Sequence, residues 1–203
     1  MKYKYLLLAT GLLWGTSTVN AQWRSASEAP VRQQPEISKT VKNQGDGKVL
    51  YSYCSSIAAV TAKSGLGIQT DDDVKVTAAI RMSEGLMTLL KGRNIHRLRV
   101  GVATDAEDAT VFIRKTDGTA IWQINKALEL GWNDITLETP LVVPEEQELY
   151  IGYTCTQRNG VFVIATELGN TTKLNGLFMA SEYYPYLEDF SGSSDLGTFC
   201  LSG

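Results

Sequence analysis

Along much of the chain, apolar and polar positions alternate with a period of two. Val74, Val76, Ala78, Ile80 and Met82 are separated by Lys75, Thr77, Ala79 and Arg81, the pattern of a strand with one buried face. The same period runs through Leu98, Val100 and Val102 within Ile95 to Thr104, where it also places His96 on the inward face. It returns at Leu149, Ile151 and Tyr153 and carries on to Gln157, while Trp132, Ile135 and Leu137 lead a strand into Pro140. Ala109 to Lys115 and Thr119 to Asn125 flank Thr116-Asp117-Gly118, whose Asp-Gly step tolerates the positive φ of a tight hairpin turn. Val161 to Glu167 follows a turn at 157–160, and Val49 to Ser55, Gly176 to Ser181 and Gly197 to Leu201 carry weaker strand patterns. Thr61 to Asp73 contains Gly65, Gly67 and three successive aspartates and reads as a turn and solvated loop. One helix is expected over Ser83 to Lys91, capped by Ser83, with Leu86, Leu89 and Leu90 on one side and Gly92 as its stop. Many short strands, turn residues between them and one short helix predict an all-β fold, a two-sheet antiparallel β-sandwich, with Trp132 and Tyr153 filling its core.

The two ends of the chain add location. Residues 1–21 carry Lys2 and Lys4, an apolar run from Tyr5 to Trp14, and Val19-Asn20-Ala21 where a signal peptidase would cut, so they are expected to be a secretory signal peptide. The apolar run is shorter than the roughly 20 residues a spanning helix needs, and no membrane span is expected. Residues 22–47, rich in Ser, Gln, Glu, Pro and Lys, are expected to be a flexible leader, and residues 48–203 the sandwich domain. A formal charge of −3 without clustered Lys and Arg argues against nucleic acid. Export would place Cys54, Cys155 and Cys200 where disulfides persist, but three thiols allow at most one intramolecular bond. A bond from Cys155 to Cys200 would staple the tail to the sandwich; the alternative is three small buried hydrophobes.

Candidate chemistry is sparse. With His96 as the one histidine and no Cys-x-x-Cys pair, neither a histidine-based nucleophilic site nor a zinc site is expected. Glycoside hydrolysis needs only two carboxylates, and Asp71-Asp72-Asp73, Glu145-Glu146 and Glu188-Asp189 are the candidates, all in segments that read as solvated loops. Asp71, Asp72 and Asp73, with Asp46, suit a structural calcium ion better, since a hard cation takes carboxylate and carbonyl oxygens from loops; no other cofactor is implied. For binding, the lead is Tyr183-Tyr184-Pro185-Tyr186. Successive residues of an extended segment point to opposite sides and proline stiffens the loop, so at least one ring is expected to face solvent.

Thr77 to Met82 (TAAIRM), LMTLLKGRNIHRLRVGV, the GWN and LYIGY strands, and the YYPYLEDF and GTFCLSG tail together resemble jelly-roll-like β-sandwich modules of secreted bacterial surface proteins. Those modules are similar to the domains that accompany streptopain-type cysteine peptidases and gingipain-type adhesins. The resemblance implies an accessory or adhesive role at the cell surface and an exported peptidase as partner, while the tyrosine loop, with acidic side chains beside it, suits a glycan or a surface protein. No peptidase domain is attached here, and the tail reaches Gly203 as a last strand begins, as in a free-standing or a shortened version. The reading is therefore a secreted, non-enzymatic binding, adhesion or assembly module. The rival is a small glycosidase-like hydrolase using a carboxylate pair.

Overall fold

The computed structural model describes residues 22–25, 43–44, 48–49, 51–54, 59–145, 147–167, 173–193 and 196–202. The expected signal peptide, Asp46 and Glu146 lie outside the described residues. Strands make up 53 % and helix 7 % of the described residues, and two antiparallel sheets pack face to face as a β-sandwich. The first sheet runs β1 (Gln22–Ser25), β4 (Gly65–Gln69), β11 (Ile164–Glu167), β6 (Asn94–Val102), β15 (Leu201–Ser202), with β14 (Thr198–Phe199) beside β11 and β9 (Gly131–Val142) beside β6. The second runs β13 (Glu188–Asp189), β12 (Phe178–Ser181), β5 (Val74–Met82), β10 (Leu149–Gln157), β7 (Thr110–Lys115), β8 (Ala120–Asn125). A two-stranded piece, β2 (Asn43–Gln44) with β3 (Lys48–Val49), stands apart.

Alternation translates directly into layers. Val74, Val76, Ala78, Ile80 and Met82 of β5, and Leu149, Ile151, Tyr153 and Cys155 of β10, meet Leu98, Val100 and Val102 of β6 in one buried core. Tyr153 is wholly buried there, and its hydroxyl donates to the Val163 carbonyl at 3.4 Å. The helix α1 (Glu84–Leu90) starts after Ser83, and Gly92 at φ 72° follows it. Its inward residue is Met87, flanked by the partly buried Leu86 and Leu90; Leu89 is 75 % exposed and does not share their side.

Several expectations are corrected. Gly65–Gln69 is not a solvated loop but a buried strand, β4. Its glycines are there for space: a Cβ at Gly65 would come 2.8 Å from the Phe162 carbonyl oxygen, and one at Gly67 would run into Gln157 Oε1. Gln22–Ser25, inside the stretch expected as a flexible leader, pairs with β4 from Gln22↔Gln69 to Ser25↔Leu66, and Trp23 packs against the core. His96 is exposed and does not lie with Leu98, because β6 and β9 lose register between Ile95 and Arg97. Opposite that break, residues 137–140 of β9 stay out of the ladder, so Pro140 sits inside the strand at no cost in hydrogen bonds. Trp132 is not in the sandwich core. It opposes Gly101 on the outer face of the first sheet, half-buried, with the Arg99 guanidinium 4.8 Å from its ring centre. Cys155 faces the interior from β10, whereas Cys200 belongs to a separate cluster on that same outer face, so a Cys155–Cys200 bond does not fit.

One buried side chain joins the two layers. Gln157, the last residue of β10 and fully buried, accepts from the Ile68 N–H at 3.0 Å and donates its amide to the Ile68 carbonyl at 2.6 Å. β11 pairs with β4 only at Gly65 and Leu66, so this amide supplies the two hydrogen bonds that a longer β11 would have made at Ile68. Gln157→Ala would leave both Ile68 groups buried and unpaired and is expected to cost about 2–4 kcal/mol, read as a lower urea midpoint. Trp132→Ala, by contrast, is expected to cost only about 1–2 kcal/mol in the same assay, because it removes a half-buried ring and one cation–π contact and opens no core cavity.

Candidate functional site

The strands of the second sheet turn one set of side chains inward and leave the other on the outer face. Cross-strand register assembles that outer set into rows. Ala180, Thr77, Thr154, Thr110 and Asn125 stand side by side on five neighbouring strands. Within the row, Thr77 Oγ1 and Thr154 Oγ1 are 2.9 Å apart and Thr110 Oγ1 donates to Asn125 Oδ1 at 2.8 Å. A hydroxyl offers one donor and two acceptor positions, so a row paired in this way still has hydrogen-bonding capacity directed outward.

The next row is apolar. Phe178, Ala79, Gly152 and Phe112 are successive partners, and the first, second and fourth form a buried cluster with Tyr150 and Leu187 packed against it. A Cβ at Gly152 would meet the backbone of Ala78 and Ala79, so no side chain fits there and the row dips between its two phenylalanines. Arg114 lays its guanidinium 3.9 Å from the centre of Phe112, and Arg81 lies 5.2 Å from that of Phe178. Burial pushes the Arg114 pKa below its ordinary value.

Over the threonine row runs an open groove of about 450 Å³, whose edges carry Lys75, Arg114, Gln123, Ser181, Glu182 and Pro185. The Tyr loop rises from the β12 end of this groove. The Ser181 N–H donates to the Tyr184 carbonyl at 2.8 Å, the Tyr184 N–H returns to the Ser181 carbonyl at 3.1 Å, and the Glu182 N–H holds the Lys75 carbonyl at 3.1 Å. Leu187 takes the place on the apolar cluster, and Tyr183, Tyr184 and Tyr186 are left at 45, 44 and 82 % exposure. All three tyrosines of the expected ligand loop thus stand at the surface, in the loop whose Glu182 and Pro185 line the groove.

The groove residues themselves were missed by sequence reasoning. Their signal was present in the outward positions of β5, β7, β8 and β10, which are hydroxyl or amide residues at Thr77, Thr110, Thr154, Gln123 and Asn125, but nothing in one strand tells which residue of the next it will stand beside.

Asp71, Asp72 and Asp73 are exposed at the turn between β4 and β5. Asp73 Oδ1 accepts the Asn159 N–H at 2.8 Å, the Asn159 amide donates to the Asp71 carbonyl at 2.8 Å, and the Asp72 N–H reaches Thr70 Oγ1 at 3.3 Å. These contacts tie two turns together. Among the described residues, no three of His, Cys, Asp and Glu are grouped closely enough to hold a metal ion. Of the remaining acid pairs, Glu145 binds Lys91 at 2.8 Å and Asp189 Oδ1 accepts the Ser191 N–H at 2.8 Å.

No protein-family model matches the chain, and neither does a curated protein or a solved structure.

If the aspartates serve the turn, Asp73→Ala is expected to cost about 0.5–1.5 kcal/mol through the lost Asn159 contact. Urea denaturation should give the same loss with calcium and with a chelator; a loss seen only with calcium would restore the metal reading.

Proposed function

We propose that this protein is a secreted, non-catalytic β-sandwich module that binds a surface glycan on the outer face of its second sheet. The observation that carries the reading is the juxtaposition of the threonine row, its groove, and a loop with three exposed tyrosines, Tyr183 and Tyr184 on a hydrogen-bonded turn and Tyr186 just past Pro185. A saccharide presents alternating hydroxyls and C–H patches. Thr77, Thr154, Thr110 and Asn125 offer paired donors and acceptors to the first, and tyrosine faces at the rim offer apolar surface to the second. A turn already closed by its own backbone bonds, and rings with few rotatable bonds, lose little freedom when a ligand settles on them. Lys75, Arg114 and Glu182 at the edges leave room for a charged substituent of either sign.

A non-catalytic role is supported by the acid content of the groove. Glycoside hydrolysis uses two carboxylates about 5 to 9.5 Å apart, and Glu182 is the one carboxylate among the described groove-lining residues. The sequence of residues 1–21 supports export, and the resemblance to modules of secreted surface proteins supports an adhesive or accessory role.

The experiment is retention on an array of bacterial and host glycans, followed by titration of the best ligand. Tyr184→Ala/Tyr186→Ala is expected to weaken binding at least tenfold, about 1.4 kcal/mol, with a melting temperature within about 2 °C of the parent because both rings are exposed. Thr77→Val/Thr154→Val, which keeps the shape and removes the hydroxyls, is expected to weaken binding similarly. Loss of a protein partner but of no glycan in the tyrosine variant would reassign the loop to protein docking, and unchanged glycan retention in both variants would overturn the proposal.

A further inference from the structure

On the outer face of the first sheet, opposite in the molecule to the groove, Cys54 and Cys200 are buried together with Ala103 and Ala165, and Val60 and Trp132 pack against them. A bridge brings the two segments together: Ser52 pairs with Ser202 in antiparallel sense, and just beyond it Cys54 and Cys200 meet in the same buried cluster. A disulfide asks for Cα atoms roughly 4.4–6.8 Å apart, the separation of neighbouring extended segments.

Two further contacts hold the pair in place. Ser52 Oγ donates to the Leu201 carbonyl at 3.0 Å and lies 3.2 Å from Cys54 Sγ. On the other side the Gly101 N–H donates to the Cys200 carbonyl at 2.8 Å, and a Cβ at Gly101 would come 2.8 Å from Cys200 Cβ, so the absence of a side chain at 101 makes the space that Cys200 occupies. The two thiols act on each other. Cys200, helped by Ser52, holds Cys54 below the usual thiol range, while Cys54 and burial push Cys200 well above it. The third cysteine is sealed in the core from β10, where burial raises its pKa to about 12.

We propose that Cys54 and Cys200 form the disulfide of this protein, linking the segment ahead of β4 to the residue between β14 and β15, while Cys155 remains a thiol. The oxidant is a small-molecule or protein disulfide of the thiol-exchange class. The Cys54 thiolate attacks one of its sulfurs and expels the first thiolate. The Cys200 thiolate then attacks the Cys54 sulfur of the mixed disulfide and expels the second. One S–S bond breaks and one forms, the two cysteines lose two electrons to the oxidant, and their two protons end on the two released thiols.

The test uses the full chain equilibrated in oxidised and reduced glutathione, alkylated under denaturing conditions and mapped by mass spectrometry without reduction. Expected is one cross-linked peptide joining Cys54 to Cys200, with Cys155 alkylated. Reductant should lower the melting temperature by about 5–15 °C in the parent and in Cys155→Ala, and leave Cys200→Ser unchanged. Three alkylated cysteines, or a cross-link that includes Cys155, would overturn the proposal. Should Cys200→Ser fail to fold, the peptide map of the parent decides alone.

Discussion

The carboxamide of Gln157 holds both the N–H and the C=O of Ile68 in the dry interior between the sheets, and much of the molecule is arranged around that exchange. A primary amide is the one side chain that can stand in for a peptide unit, giving a donor and an acceptor together, and an unpaired backbone group there would be costly. The residue sits where the chain leaves β10 and crosses to the other sheet. It pairs with Val74, and three residues earlier Thr154 stands between Thr77 and Thr110. One strand thus carries the amide that ties the layers and, on its opposite face, a member of the polar row.

The two outer faces are finished differently. That of the first sheet is closed by small residues, Ala103, Ala165 and Gly101, which let the segment carrying Ser52 and Cys54 lie close to the sheet with Trp132 beside it. That of the second carries aromatic rings dipped around Gly152 and roofed in part by guanidinium groups and Leu187. Leu187 packs against the apolar patch, while Tyr184 and Tyr186, three and one residues before it, keep 44 and 82 % of their surface exposed. Tyr183, Tyr184 and Tyr186 are therefore at the surface, the first two within the backbone-closed turn and the third just past Pro185.

Much of the architecture was legible in the sequence because period two is a local property. β5 and β10 announce their buried faces residue by residue, and α1 announces its Gly92 stop. What failed was non-local. Gly65 and Gly67 read as turn residues, when their role is to admit Phe162 and Gln157 from distant parts of the chain. His96 was assigned a face by counting, and a break in pairing with β9 changed the count. Trp132 stands three residues before Ile135 on a stretch of β9 that pairs without a break, so strict alternation puts the two on opposite faces. For the site, the tyrosines were visible as a cluster; the threonines became a row only when three strands were laid in register.

Strand order also bears on synthesis. All six strands of the second sheet come from residues 74–189, while the first needs residues 22–25 at one edge and residues 201–202 beside β6. A chain delivered N-terminus first therefore exposes every strand of the groove-bearing layer before the other layer can close, and late, long-range pairings are the slow ones. Of the two thiols that Cys54 could meet during that interval, Cys155 arrives first. Its side chain points inward from β10, toward the first sheet, whereas Cys54 lies on that sheet's outer face. Early emergence favours the wrong partner, and the direction of one side chain would keep Cys54 for residue 200.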